Sequence, residues 1–83
     1  MSSKIFKFEV ITPDGVIFSD NVEQAVIPGS EGEFGVLELH SPMVSTLKEG
    51  EIKILKDNKV KETVKVTGGI AEITKNSCII LTE

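Results

Sequence analysis

Tryptophan and tyrosine are absent from this sequence, and four phenylalanines are the only aromatic residues among its 83. A core must therefore rest on Ile, Val, Leu and those four rings, and a nucleic-acid surface lacks the stacking platforms it ordinarily uses. Extended basic clusters are missing too. Nine basic side chains stand against thirteen acidic ones, a net charge of −4, which weighs against phosphate neutralisation and hence against nucleic-acid binding. A single cysteine, Cys78, excludes an internal disulfide and is compatible with a reducing compartment. With one histidine, His40, and Cys78 far along the chain, the usual zinc-ligand spacing is not met. No apolar run approaches the ~20 residues of a membrane-spanning helix. The opening residues SSKIFKFE lack the apolar stretch of a signal peptide. The expectation is a soluble chain, or one that is peripheral to a membrane complex.

What is present is a strand pattern. Hydrophobic residues make up 40% of the chain, enough for a small globular core and too many for disorder. The length predicts one domain, residues 1–83, near the lower end of what folds alone. Phe6, Phe8 and Val10 alternate with Lys7 and Glu9, the period-two pattern of a strand with one buried face. Thr12-Pro13-Asp14-Gly15 is a turn, because Pro presets φ and Gly supplies a positive one. Ser19-Asp20-Asn21 is expected to break the next extended run as a bulge or turn, with a further strand over Val22 to Ile27. Phe34 to Leu39 is another strand, and Met43 to Leu47 either a short strand or one helical turn. Asp57-Asn58 lies between two extended runs, as in a two-residue hairpin. Val60, Val64 and Val66 are expected to share one face. Gly68-Gly69 opens the next segment, Lys75-Asn76 turns the chain, and Cys78 to Leu81 closes it. No window sustains a 3.6-residue period. The fold class is therefore all-β: a small sandwich or barrel of about eight to ten short strands.

The stretch Pro28 to Gly50, PGSEGEFGVLELHSPMVSTLKEG, concentrates four of the seven glycines, two of the three prolines and the only histidine. Its chemistry is not that of a catalyst. Nucleophilic attack requires a Ser or Cys presented to a base that a third group orients, and Ser41 beside His40 in sequence does not establish that. His40 is expected to bond loop backbone instead. The glycines at 29, 32 and 35 match neither the dinucleotide fingerprint nor a phosphate loop, so no cofactor is expected. Gly29, Gly32, Gly35, Pro42, Gly68 and Gly69 are expected to serve turns. Glu31 and Glu33, with Glu38 nearby, are either solvated carboxylates or an acidic loop offered to a basic partner. Lys59, beside the Asp57-Asn58 turn, lacks the surrounding motif of a lipoyl or biotinyl carrier lysine and is expected to be solvated. Cys78 is expected to be a small core residue.

Taken in order, Phe8-Glu9-Val10-Ile11-Thr12-Pro13, Phe18-Ser19 with Val22-Glu23, Pro28 through Leu37, His40-Ser41-Pro42 with Leu47-Lys48-Glu49-Gly50, Thr67-Gly68-Gly69-Ile70-Ala71-Glu72-Ile73 and Asn76 through Leu81 resemble one family along nearly the whole chain. That family is the N-terminal domain of the epsilon subunit of F-type ATP synthases, called delta in mitochondria. The resemblance implies a flattened β-sandwich and a non-catalytic role in the central stalk. The domain would link the gamma subunit to the membrane c-ring and couple rotation to ATP synthesis. It would be peripheral to the membrane, on the cytoplasmic face of a bacterial inner membrane or the matrix face of a mitochondrial one. It implies Glu33 as the ring-facing carboxylate, with Glu31 and His40 as neighbours. The pattern departs at Glu38-Leu39, where many members have Pro and a small residue. The helical hairpin that usually follows in the family, an inhibitory latch that binds ATP in some members, has no counterpart in residues 1–83. Coupling without the latch and without a nucleotide site is the expectation. An independent β-sandwich ligand-binding module is the alternative.

Overall fold

A computed structural model describes residues 5–37 and 42–83. His40 and its neighbours at 38, 39 and 41 lie outside the described residues. The described chain is all strand: β1 (Phe6–Thr12), β2 (Gly15–Val22), β3 (Gln24–Gly29), β4 (Gly32–Leu37), β5 (Met43–Leu47), β6 (Gly50–Lys56), β7 (Lys59–Val66), β8 (Gly69–Ile73) and β9 (Ser77–Leu81). The all-β expectation is met, with nine strands among the described residues.

The strands form one hydrogen-bonded sheet in the order β2-β1-β9-β8-β5-β3-β6-β7, with β4 added on β3. The sheet folds over on itself into two layers. One layer is β2-β1-β9-β8-β5 and the other is β4-β3-β6-β7. They are joined where Gly29 of β3 pairs with Leu47 of β5. Two backbone bonds reinforce that corner, from Ser30 N to Thr46 O at 2.9 Å and from Lys48 N to Pro28 O at 3.0 Å. Strands β5 and β6 run on from one another through Lys48 and Glu49, so the chain changes layers there, as strands do at sandwich corners. The first and last strands pair in parallel, Phe8 with Cys78 and Val10 with Ile80. All other pairings are antiparallel.

The alternation in β1 is what fills the core. Phe6, Phe8 and Val10 are buried there beside Cys78 and Ile80 from β9. Across the interlayer space lie Ala25, Ile27, Ile52 and Ile54. Phe8 is the hub, meeting Phe6 and Phe18 edge-on with ring centroids 6.4 and 6.0 Å apart. Edge-to-face geometry suits the ring quadrupoles. Thr82 is also buried; its Oγ1 donates to Gly68 O at 2.6 Å and its N donates to Ile11 O at 2.9 Å. The link from β7 to β8 is pressed against this end of β9. A Cβ added to Gly69 would stand 2.0 Å from Leu81 O, and φ there is +129°, so only glycine fits.

Several expectations change. Ser19-Asp20-Asn21 does not interrupt the chain; β2 runs through to Val22 and the bend falls at Glu23. These polar residues are exposed on a strand that ends the sheet. Their polarity reports solvent rather than a turn. The irregularity lies earlier: Val10 pairs with Phe18 and Ile11 with Val16, leaving Ile17 as the extra residue of a bulge. Gly35 serves no turn, because it sits inside β4 opposite Val26. Met43 to Leu47 is a strand and not a helical turn, held along its length by β8. Val66 is buried, but Val60 is 52% exposed, since Lys61 is an extra residue between Glu62, opposite Ile54, and Val60, opposite Leu55, which turns Val60 to the other face.

Candidate interaction surface

The site is built on the β3–β4 hairpin. Gly29 and Gly32 pair with one another, leaving Ser30-Glu31 as a two-residue turn. Gly32 takes φ +134° with open space beside it. Gly29 is needed for a different reason. A Cβ there would lie 2.8 Å from both Gly32 O and the Phe34 ring. The ring of Phe34 folds over the turn, and the missing side chain makes room for it.

The turn is pinned from outside as well. Besides the two backbone bonds at the corner, Thr46 Oγ1 donates to Ser30 Oγ at 2.9 Å. The carboxylates of Glu31 and Glu33 therefore project from a fixed frame, and both residues are exposed. Between the hairpin tip and β5 runs an open groove of about 570 Å³, lined by Glu31, Glu33, Phe34, Met43, Val44 and Thr46 among others. Met43 is 46% exposed and Val44 69%. Acidic groups and apolar side chains thus share one rim. Pro42 stands immediately before β5 and is exposed. His40, expected beside Glu31 and Glu33, lies outside the described residues.

A second surface was not anticipated from the sequence. Register places Val16, Ile11, Leu81, Ile70 and Thr46 in one row across the outer face of the first layer. Val16, Leu81 and Ile70 are each 44–56% exposed. The signal was present: Ile79-Ile80-Leu81 is a continuous apolar run, and a strand with one solvated face would alternate.

Among the described residues no group of three or more His, Cys, Asp or Glu could hold a metal ion. Burial pushes the Cys78 thiol up to about 12, which suppresses the thiolate that a nucleophile or metal ligand needs. Among the described residues there is no helix long and apolar enough to cross a membrane.

Comparison with known proteins gives one answer. Residues 5–83 match the family model described as ATP synthase, Delta/Epsilon chain, beta-sandwich domain. The chain is 38% identical over 77 residues to the ATP synthase epsilon chain of Rhodospirillum rubrum, covering 93% of this chain and 58% of that one. It is 41% identical over 83 residues to the ATP synthase epsilon chain of Paramagnetospirillum magneticum, covering all of this chain and 62% of that one. It therefore spans about three fifths of the length of these relatives. Among solved structures, a chain of the Euglena gracilis mitochondrial ATP synthase OSCP/F1/c-ring assembly superposes with a TM-score of 0.83 at 25% identity, over 99% of this chain and 52% of that one.

Proposed function

Because the chain belongs to the ATP synthase delta/epsilon β-sandwich family, we propose that it acts as a non-catalytic coupling domain in the central stalk of an F-type ATP synthase. Its partners in this reading are the gamma subunit and the membrane c-ring. Its place is peripheral to the membrane, on the cytoplasmic face in a bacterium or the matrix face in a mitochondrion.

The observation that carries the reading is the pinned acidic turn. A torque-transmitting contact needs a surface that does not yield when pushed. The Ser30-Glu31 turn is tied to β5 by backbone and hydroxyl bonds, so a load on Glu31 or Glu33 passes into both layers. Exposed carboxylates in a fixed frame suit a basic ring surface, where complementarity sets register and encounter rate. The apolar row of Val16, Ile70 and Leu81 offers a second, drier surface of the kind that suits a permanent neighbour. With two partners contacting different faces, the sandwich works as a spacer between them.

The test is reconstitution with gamma and c-ring. The domain should co-purify with gamma. Glu33→Lys should weaken ring association by about tenfold at low salt and lower proton-driven ATP synthesis, while the denaturation midpoint stays put. Failure of the folded domain to bind gamma overturns the stalk assignment. Unchanged ring association in Glu33→Lys removes the turn from the contact while leaving that assignment standing.

A further inference from the structure

The outer face of the first layer carries a second row beside the apolar one. Register lines up Ser19, Glu9, Ile79, Glu72 and Val44 across the same five strands. Glu9 and Glu72 therefore flank Ile79, one on each neighbouring strand. With adjacent strands about 4.8 Å apart, their backbone positions stand roughly 10 Å from each other. Both side chains point away from the core, because the residues on either side of each, Phe8 and Val10 or Ala71 and Ile73, are buried. Glu72 is exposed and Glu9 half-buried. Ser19 Oγ donates to Glu9 Oε2 at 3.1 Å, which fixes that carboxylate through one of its oxygens.

Cations are scarce on this face. Its five strands contain one lysine, Lys7, whereas five of the nine lysines, at 53, 56, 59, 61 and 65, lie on β6 and β7 in the other layer. Among the described residues neither Glu9 nor Glu72 has an ion-pair partner. The apolar row beside them gains by being covered, and Val44 at the end of the acidic row is 69% exposed. Covering the carboxylates with nothing opposite them would work against that gain. An occupant must therefore bring positive charge of its own. A second copy of this chain does not, since two such faces laid together would set four carboxylates against the two Lys7 ammonium groups.

Resting on the stalk reading above, we propose that the gamma subunit covers this face with a surface that is apolar opposite Val16, Ile70 and Leu81 and basic opposite Glu9 and Glu72. The apolar row supplies the buried area. The two carboxylates choose the partner and set its register. Because they lie in one row and the apolar side chains in the next, they also select an orientation. A partner turned about the face would carry its cations off the carboxylates and onto the apolar row.

The experiment measures binding of the intact 83-residue chain to purified gamma subunit by calorimetry, at low and at high salt. Wild type is expected to bind saturably. Glu72→Lys, at an exposed position, should keep its denaturation midpoint and bind about tenfold more weakly, and Glu9→Lys/Glu72→Lys about a hundredfold. Glu72→Gln removes charge without reversing it; it should lose about threefold and reduce the salt sensitivity of binding. Glu62→Lys, the same reversal on the other layer, should bind as wild type does. Failure of the folded wild-type chain to bind gamma overturns the stalk reading and the gamma-facing assignment with it. Wild-type binding that survives the double reversal, or that Glu62→Lys weakens as much as Glu72→Lys does, overturns the selection by Glu9 and Glu72 alone and leaves the stalk reading standing.

Discussion

Two hairpin tips at opposite ends of the second layer solve the same geometric problem by different means. The Ser30-Glu31 turn is flanked by glycines, yet neither turn residue has a positive φ. The Asp57-Asn58 turn has no glycine at all, yet both residues sit in the left-handed region, at φ 55° and 64°. The first tip is covered by a ring and tied to a neighbouring strand. The second stands exposed, with the Glu23 carboxylate as its outside partner. The contrast separates two uses of glycine that a sequence presents identically. At Asp57-Asn58 backbone strain is carried by residues that tolerate it. At Gly29 the residue is demanded by crowding, because Gly32 O and Phe34 occupy the place of a Cβ.

That distinction can be broken by substitution. The largest effect is expected at the crowded position: Gly29→Ala should lose about 1–3 kcal/mol, as overpacking does, read from the urea midpoint. If stability is unchanged, crowding does not explain that glycine. A smaller effect is expected from the pin: Thr46→Val removes the hydroxyl bond to Ser30 and should cost about 0.5–1 kcal/mol. Exchange of the Ser30 and Glu31 amides should quicken while the amides of Asp57 and Asn58 do not change. The smallest effect, of opposite sign, is expected at the exposed tip. Asn58→Gly relieves the left-handed conformation and should raise the midpoint slightly, by a few tenths of a kcal/mol. A loss there would mean that the Asn58 side chain does more than occupy the turn.

The same contrast explains what could be read in advance. The β1 alternation and the Asp57-Asn58 turn are local, since a few neighbouring residues set each, and both stand in the structure as the pattern implies. Polar Ser19-Asp20-Asn21 misled because an edge strand and a turn are both solvated. Gly35 misled because its spacing imitates that of Gly29 and Gly32, although it lies within β4. For the candidate site, the carboxylates were visible in the sequence but the frame holding them was not. Ser30 meets Thr46 sixteen residues away, and pairing at that separation follows from the corner between layers rather than from any local pattern. The outer apolar row was hidden likewise, since it draws on five strands that only register brings into line.

The parallel pair of β1 and β9 has a consequence for how the protein comes into being. Strand β1 is completed by β9, some seventy residues further along, with Lys7 waiting for Ser77. A chain emerging from the ribosome can assemble its β6–β7 and β3–β4 hairpins early, but β1 must remain without this neighbour until Ser77–Leu81 has been synthesised. Non-local pairing of this kind slows folding, because a long loop must close before the contact is gained. During that interval the apolar face of β1, with Phe6 and Phe8, is exposed to whatever is nearby. The order of synthesis therefore makes the amino-terminal strand the segment most in need of a chaperone.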